Sequence, residues 1–390
     1  MQVSQRAQAI APFLAMEFGK HAAALEAQGH RVIRLNLGEP DFGAPPAVRA
    51  ELARVATEAA LPYTGALGLP ALREAIAGFY AQAHGLQISP ERIVVTAGAS
   101  AALLLLTAAL VDAGDEVLVG DPSYPCNRQF LAGFGANVRL VPTDAASRFQ
   151  LDLAAVQRHW SARTRGLMIA TPSNPTGTSV PPAELAAICA WAKAHGAWRI
   201  IDEIYLNLAD AQSDGTPAPS VLAADDGACV INSFSKYFGM TGWRLGWAVV
   251  PPGLVPAMER LAQNYYICAP TPSQLAALAC FTPEGIAVCE DRKREFQARR
   301  QLVLQGLADM GLRVPVPPDG AFYVYIDVGP TGLDAMTFCQ RALQEAHVAL
   351  TPGLDFGQAG GGTHVRLSYA ASRADLHDGL ARLGRWLGQA

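Results

Sequence analysis

Along the chain, short apolar runs alternate with longer stretches in which apolar positions recur every three to four residues. The runs Ile93-Val-Val95, Val117-Leu-Val119, Gly166-Leu-Met-Ile169-Ala170, Trp198-Arg-Ile-Ile201 and Gly246-Trp-Ala-Val249-Val250 each predict a strand. Gly166 to Ala170 is apolar without alternation, which predicts a strand covered on both faces, as in a parallel sheet. Between the runs, Ala101 to Val111 predicts an unbroken helix, and a helix starting near Ala71 places Leu72, Ile76 and Phe79 on one side. Another is expected near Leu254 to Ala262. The N-terminal segment predicts one helix, with Ala7, Ile10, Leu14, Ala22 and Leu25 near helical spacing and Gly29 as its C-cap, followed by a short strand at Val32 to Leu35.

Toward the C-terminus the pattern changes. A long charged helix is expected from about Pro283 to Gly306, where Arg292, Lys293, Arg294, Arg299 and Arg300 alternate with Glu290, Asp291 and Glu295 and predict a solvated face. After it, strands at Phe322 to Ile326, Val348 to Leu350 and Val365 to Tyr369 surround a helix near Ala335 to Ala346, and a helix closes the chain, which reads as an α+β lobe. The stretch Ala211 to Pro219 is polar and reads as an exposed loop.

With 390 residues the chain exceeds one ordinary domain, so a large core with a smaller lobe is expected. A 51% hydrophobic and 16% charged composition fits a well-buried globule. The net charge of −4 gives no electrostatic footprint for nucleic acid, so anion recognition has to be local. The seven cysteines are dispersed, without Cys-x-x-Cys, and read as buried free thiols of a reducing cytoplasm; the start shows no secretory leader. Ala101 to Val111 is apolar for eleven residues, well short of the roughly 20 that a membrane span takes, so no membrane association is expected. The eight histidines show no ligand spacing, and no metal site is expected.

The chemistry concentrates in Asn232-Ser-Phe-Ser-Lys-Tyr-Phe-Gly-Met-Thr-Gly-Trp-Arg-Leu-Gly246. Lysine forms a Schiff base with an aldehyde once its amine has lost its proton, which a partly desolvated pocket favours, and Lys236 is the candidate. Ser233, Ser235 and Arg244 together can satisfy a phosphate, and Gly239, Gly242 and Gly246 let the backbone turn and approach closely. Upstream, Ile93 to Val95 runs through Thr96-Ala-Gly98 into a helix starting at Ala99 and Ser100, whose free N–H groups and hydroxyl make a second phosphate contact. No Gly-x-Gly-x-x-Gly or P-loop pattern accompanies it, so the phosphate is a monoester. A lysine beside a phosphate socket reads as a site for pyridoxal 5′-phosphate.

Ser-x-Ser-Lys followed by Gly-x-Arg-x-Gly, here Ser233 to Gly246, closely resembles the cofactor-lysine segment of the class I/II aminotransferases, fold-type I pyridoxal-phosphate enzymes similar to aspartate aminotransferase. The resemblance covers nearly the whole chain. It implies an α/β fold, with a large domain built on a mostly parallel seven-stranded sheet flanked by helices and a smaller α+β domain. The expected division is an N-terminal segment at 1–40 packing with the small domain, a cofactor-binding domain at 41–282 and the small domain at 283–390.

It also assigns roles. Asn174, in Asn-Pro-Thr-Gly177, and Tyr205 would meet the cofactor's O3′, although Asn-Pro-x-Gly also makes a plain turn; Asp202 would keep its ring nitrogen protonated. Tyr124 would stack on the ring, and Ala99 and Ser100 would hold the phosphate. Tyr63 would reach the partner's phosphate across a homodimer interface, making the site composite. Gly38, otherwise a turn glycine, and Arg366, mid-strand between Val365 and Leu367, would bind the substrate carboxylate. Where aspartate-specific relatives carry a lysine, this chain has Ser100, so an apolar, aromatic or broad donor range is expected, with Phe18, Tyr63 and Tyr124 as neighbouring aromatics. The implied activity is ping-pong transfer of an amino group from an L-amino acid to a 2-oxo acid, with Lys236, Asp202 and Tyr205 as catalytic residues. The rival readings are a carbon–sulfur β-lyase on the same scaffold and a non-catalytic cofactor-binding regulatory module.

Overall fold

A computed structural model describes residues 2–58 and 60–388. Among the described residues there are twelve strands: β1 (Ile33–Arg34), β2 (Ile93–Thr96), β3 (Glu116–Asp121), β4 (Asn137–Pro142), β5 (Thr164–Ala170), β6 (Trp198–Asp202), β7 (Cys229–Ser233), β8 (Gly246–Val249), β9 (Tyr323–Asp327), β10 (Val348–Ala349), β11 (Thr351–Pro352) and β12 (His364–Ser368). Seven of them form one sheet in the order β2-β8-β7-β6-β5-β3-β4, with β8 antiparallel to both its neighbours and the remaining pairs parallel. The expected α/β fold with a mostly parallel seven-stranded sheet is therefore present.

Helices cover both faces of the sheet, so β2 at one edge and β7 and β8 inside it are buried at every position, and β2 and β8 read as continuous apolar runs. Two strands escaped the sequence pattern. The edge strand β4 is mostly exposed or half-buried and carries Arg139 among its few apolar side chains. β7 merges at Ser233 with the polar segment that follows it.

The direction of β8 decides where that polar segment lies. Parallel strands need a crossover over the sheet face, whereas an antiparallel pair can be joined by a loop at one edge. Ser233, ending β7, pairs with Gly246, opening β8, so residues 234–245 stay at the sheet edge where the parallel strands end. Ligands of open α/β sheets bind at this edge.

Beyond the sheet, β11, β12 and β9 form a small antiparallel sheet in which Arg366 lies between Thr351 and Tyr325. The N-terminal strand β1 pairs with β10, joining the start of the chain to this C-terminal region.

Two expectations need correction. The N-terminal segment is two helices, Gln5–Ala9 and Leu14–Ala27, and not one. Pro12 lacks an N–H and disfavours helix at the residue before it, so the chain breaks between them.

The second correction concerns the long helix, which spans Pro283–Asp309 and buries Arg299 and Arg300 at 4% and 8% exposure instead of solvating them. Arg299 binds Asp41, Glu295 and the carbonyls of Ala370 and Ala371, and its guanidinium lies over the Phe42 ring. Arg300 grips Asp210 with Nη2 and the Pro318 carbonyl with Nη1. These cations tie the helix to the start, middle and end of the chain. Arg299→Met, measured by urea unfolding, is expected to cost about 2–4 kcal/mol, because carboxylates and carbonyls lose a buried donor.

Candidate active site

At the carboxyl edge of the sheet lies a cavity of about 390 Å³. β2 leads through Gly98 to Ala99 and Ser100, β3 to Tyr124, β5 to Asn174, β6 to Asp202 and Tyr205, and β7 to Ser233, Ser235 and Lys236. Arg244 enters just ahead of β8, while Gly38 and Arg366 come from the N-terminal loop and the small sheet. Of the residues assigned a catalytic, cofactor or substrate role, all but Tyr63 line this one cavity; Tyr63 is 77% exposed and lies outside it.

The glycines show how the cradle is made. A Cβ on Gly246 would lie 2.7 Å from the Ala99 amide nitrogen, so only glycine lets β8 pass the helix N-terminus this closely. By contrast, the Cβ position of Gly242 meets open space, which removes the expected close approach there. Arg244 holds a left-handed backbone (φ 50°, ψ 59°), a conformation that costs a non-glycine residue about 1–2 kcal/mol. Its Nη1 donates to the Thr241 carbonyl (2.8 Å), and the guanidinium packs against Gly98. Ser233 Oγ accepts the Ser235 amide (3.0 Å). Arg244, Ser100, Ser233 and Ser235 thus share one end of the cavity with the N-terminus of the helix Ala99–Leu110, a donor set suited to a phosphate monoester.

Lys236 Nζ donates to the Gly38 carbonyl (2.7 Å). Burial, helped by the nearby Arg366 cation and opposed by Glu39 and Asp202, lowers its pKa to about 8. Asp202 is buried, and desolvation pushes its pKa up to about 6 although the Ile204 amide donates to its Oδ1 (3.1 Å). The Tyr205 and Tyr323 hydroxyls are 2.8 Å apart, and burial raises both phenols.

Arg366 is 2% exposed, and among the described residues no carboxylate pairs with it. Nη1 donates to Asn174 Oδ1 (2.8 Å), Nη2 to the Asn36 carbonyl (2.5 Å) and the Thr351 hydroxyl (3.3 Å), and Nε has no partner in the chain. The faces of Tyr323 and Phe356, 4.6 and 4.8 Å away, give partial compensation. A buried guanidinium with no hydrogen-bonded carboxylate is costly, even with the Asp355 carboxylate in its field, and a carboxylate entering the cavity would offset that cost. The geometry therefore assembles an amine of lowered pKa, an end lined with donors suited to a phosphate, a buried carboxylate and a buried cation suited to a carboxylate.

A family model described as "Aminotransferase class I and II" matches residues 30–383. The chain belongs to that family. It is an aminotransferase. It is 41% identical over 379 residues to a valine–pyruvate aminotransferase of Mycobacterium tuberculosis, covering 97% of each chain. It is also 35% identical over 393 residues to an aspartate/prephenate aminotransferase of Thermus thermophilus, covering 100% of this chain and 99% of the relative. Among solved structures, an aminotransferase from Mycobacterium tuberculosis superposes with a TM-score of 0.96 at 39% identity, covering 100% of both chains.

Sequence reasoning missed several residues that line this aminotransferase's cavity: Phe13, Ala15, Met16, Asn36, Glu39 and Tyr323. Tyr323 was legible only as strand. The tight fit of its hydroxyl against Gly38, where a Cβ would overlap it, is a contact between residues 285 positions apart. Phe18, expected near the donor, instead packs in the core, and Phe13 lines the cavity.

Proposed function

We propose that this aminotransferase holds pyridoxal 5′-phosphate in the cavity and moves the amino group of an L-amino acid with an apolar or broad range of side chains to a 2-oxo acid. The observation carrying the reading is the buried Arg366, without a hydrogen-bonded carboxylate among the described residues, in the same cavity as Lys236. The residues present fit the cofactor: the Gly98–Gly246 cradle, Ser100, Ser233, Ser235 and Arg244 for the phosphate, Asn174 and Tyr205 for O3′, Tyr124 for the ring face, and Asp202 for a cationic ring nitrogen. Bound there, it supplies the aldehyde that takes up an amino group and the electron-withdrawing ring that acidifies the donor's α-proton.

The chain's own groups do the rest. Arg366, with Gly38 and Asn174 beside it, binds the donor carboxylate by charge-assisted forks, fixing which face of the donor meets Lys236. Lys236 moves the α-proton, a task for which an amine must be neutral part of the time. Asp202, kept dry, holds the proton at the ring nitrogen. The cations of the cavity are Lys236, Arg244 and Arg366, so within the described chain none is left over for a second substrate carboxylate once phosphate and α-carboxylate are bound. This supports a monocarboxylic donor, as does the valine named for the Mycobacterium tuberculosis relative.

A homodimer with a composite site is part of the reading. Leu61, Tyr63, Tyr265 and Ile267 are 44–77% exposed, and their segments are joined by the Thr271 hydroxyl on the Pro62 carbonyl (2.8 Å), an apolar surface fitted to a second copy. The aminotransferases it resembles favour transfer over β-elimination or regulation. Pyruvate and ammonia released from cystathionine without an acceptor would reverse that preference.

The test is spectroscopic. Adding pyridoxal phosphate to the apoprotein is expected to raise a band near ~420 nm that single apolar amino acids bleach without acceptor. No band would sink the reading. The rate of cofactor capture carries a pH signature. With a pKa of about 8 against the ordinary 10.5, about a tenth of the chains hold a free Lys236 amine at pH 7, against a few in ten thousand for an unshifted lysine. Capture is therefore expected to rise about tenfold per pH unit up to pH ~8 and then level. The unfolded lysine keeps its proton to higher pH than the folded one, so the same group adds stability to the apoprotein as pH rises from about 8 toward 10.5.

A further inference from the structure

The donor's carboxylate and its side chain have to be read by different parts of the cavity, and what reads the side chain rests on the assignment of Arg366 to the carboxylate. Phe13, Ala15 and Met16 form an apolar side of the cavity, at the start of the helix Leu14–Ala27. Pro12 breaks the chain ahead of that start, but no local side chain caps it. Residues 2–12 are exposed, Phe13 occupies the N-cap without a side-chain hydrogen bond, and Met16 is 55% exposed. A helix that needed only a cap would carry Ser, Thr, Asp or Asn at this position.

The cap arrives from 341 residues further along the chain: Asp355 Oδ1 accepts the Leu14 amide (2.8 Å) and Oδ2 the Ala15 amide (3.0 Å). Asp355 is 3% exposed, and burying a carboxylate this deeply to cap one helix is costly. It lies in the turn after β11, the strand whose Thr351 pairs with Arg366. Arg128 clamps the turn from the other side, Nη2 to the Asp355 carbonyl (2.7 Å) and Nη1 to that of Phe356 (3.2 Å). Asn36 closes the frame, its Nδ2 donating to the Ala15 carbonyl (2.9 Å) while its own carbonyl accepts Arg366 Nη2 (2.5 Å) and the Thr351 hydroxyl (3.1 Å).

We propose that Asp355 is a positioning residue that hangs Phe13 and Met16 against the cavity as the wall meeting the donor's side chain, on the same frame that carries Arg366. The carboxylate-binding cation and the side-chain wall then keep a constant separation, and the enzyme measures the donor from its α-carboxylate outward. Phe13 meets Tyr124 edge-on (6.0 Å, 82°), so the wall is continuous with the cavity's aromatic side. The exposed thioether of Met16 is the part that a larger aliphatic or aromatic donor would cover.

The test compares the full-length protein with Asp355→Asn and Met16→Ala, using kcat/KM for alanine, valine, leucine and phenylalanine with one acceptor, and hydrogen–deuterium exchange at residues 13–18. Asparagine keeps the shape but turns one acceptor into a donor facing an amide. It is expected to speed exchange at Leu14 and Ala15 by about tenfold or more and to lower the leucine-over-alanine preference by about tenfold, mostly through KM. Met16→Ala, at an exposed position that cannot unfold the chain, is expected to lower the same preference with exchange unchanged. Equal losses for all four donors, or unchanged exchange in Asp355→Asn, would overturn the proposal. If the unaltered enzyme turns over none of these donors, the monocarboxylic reading fails instead, and the exchange rates still decide whether Asp355 holds the wall.

Discussion

Lys236→Ala is expected to abolish transamination, with a loss of at least about 10⁴-fold, while leaving the chain folded. A positioned acid–base group alone is worth about 10²–10⁴-fold. Lys236 is also the one lysine lining the cavity, so cofactor capture goes with it. Stability should hold, because the change removes a desolvated amine whose pKa the neighbouring Arg366 cation already depresses, and the hydrogen bond given up is the one to the Gly38 carbonyl. Lys236→Arg separates charge from chemistry: it keeps a cation that is never deprotonated at working pH, and should be equally inactive. Initial rates with saturating donor and acceptor, beside thermal unfolding of each variant, make the comparison. Turnover above a hundredth of the unaltered rate in either variant would place the proton transfer elsewhere.

The site was largely legible in the sequence because its residues stand where strands end. Asn174 and Asp202 stand at the ends of short apolar runs, which a parallel sheet brings to one edge whatever the distance between them in the chain, while Lys236 was legible from the serines, glycines and arginine of its own segment. What was not legible depends on contacts between remote segments. Nothing near Tyr323 says that its hydroxyl meets that of Tyr205, and nothing near Phe13 says that Asp355 caps its helix. Arg299 and Arg300 read as a charged surface because their partners, Asp41 and Asp210, are 258 and 90 residues away. Local pattern reports whether a residue is apolar or charged, and burial of a charge is decided by who arrives to meet it.

The same contrast explains why the cavity is asymmetric in its energetics. The end proposed for the phosphate is assembled from backbone amides, hydroxyls and a surface-reaching arginine, groups that water can serve before a ligand binds. The end proposed for the substrate carboxylate is buried, and there Arg366 Nε is left without a partner in the chain. Substrate binding energy is concentrated where the empty site is least satisfied.

Arg366 is therefore the position where activity and stability should part most clearly. Arg366→Lys keeps the charge but loses the fork that matches a carboxylate, and it is expected to lower kcat/KM by about 10²–10³-fold, corresponding to roughly 3–4 kcal/mol of lost charge-assisted hydrogen bonding. Arg366→Met should lose as much or more. Yet an arginine whose role was to hold the lobe together would cost several kcal/mol when removed. Here Asn36 O keeps the Thr351 hydroxyl as donor, Asn174 faces the cavity, and no carboxylate is orphaned among the described residues, so Arg366→Met is expected to cost less than about 1 kcal/mol in urea unfolding. A substrate comparison sharpens the result. The unaltered enzyme should prefer an amino acid strongly over the amine that lacks its α-carboxylate, and Arg366→Met should erase that preference by losing rate with the amino acid while leaving the amine's unchanged. A preference surviving in Arg366→Met would mean that another group binds the carboxylate, and a large loss of stability would mean that the buried guanidinium serves the fold.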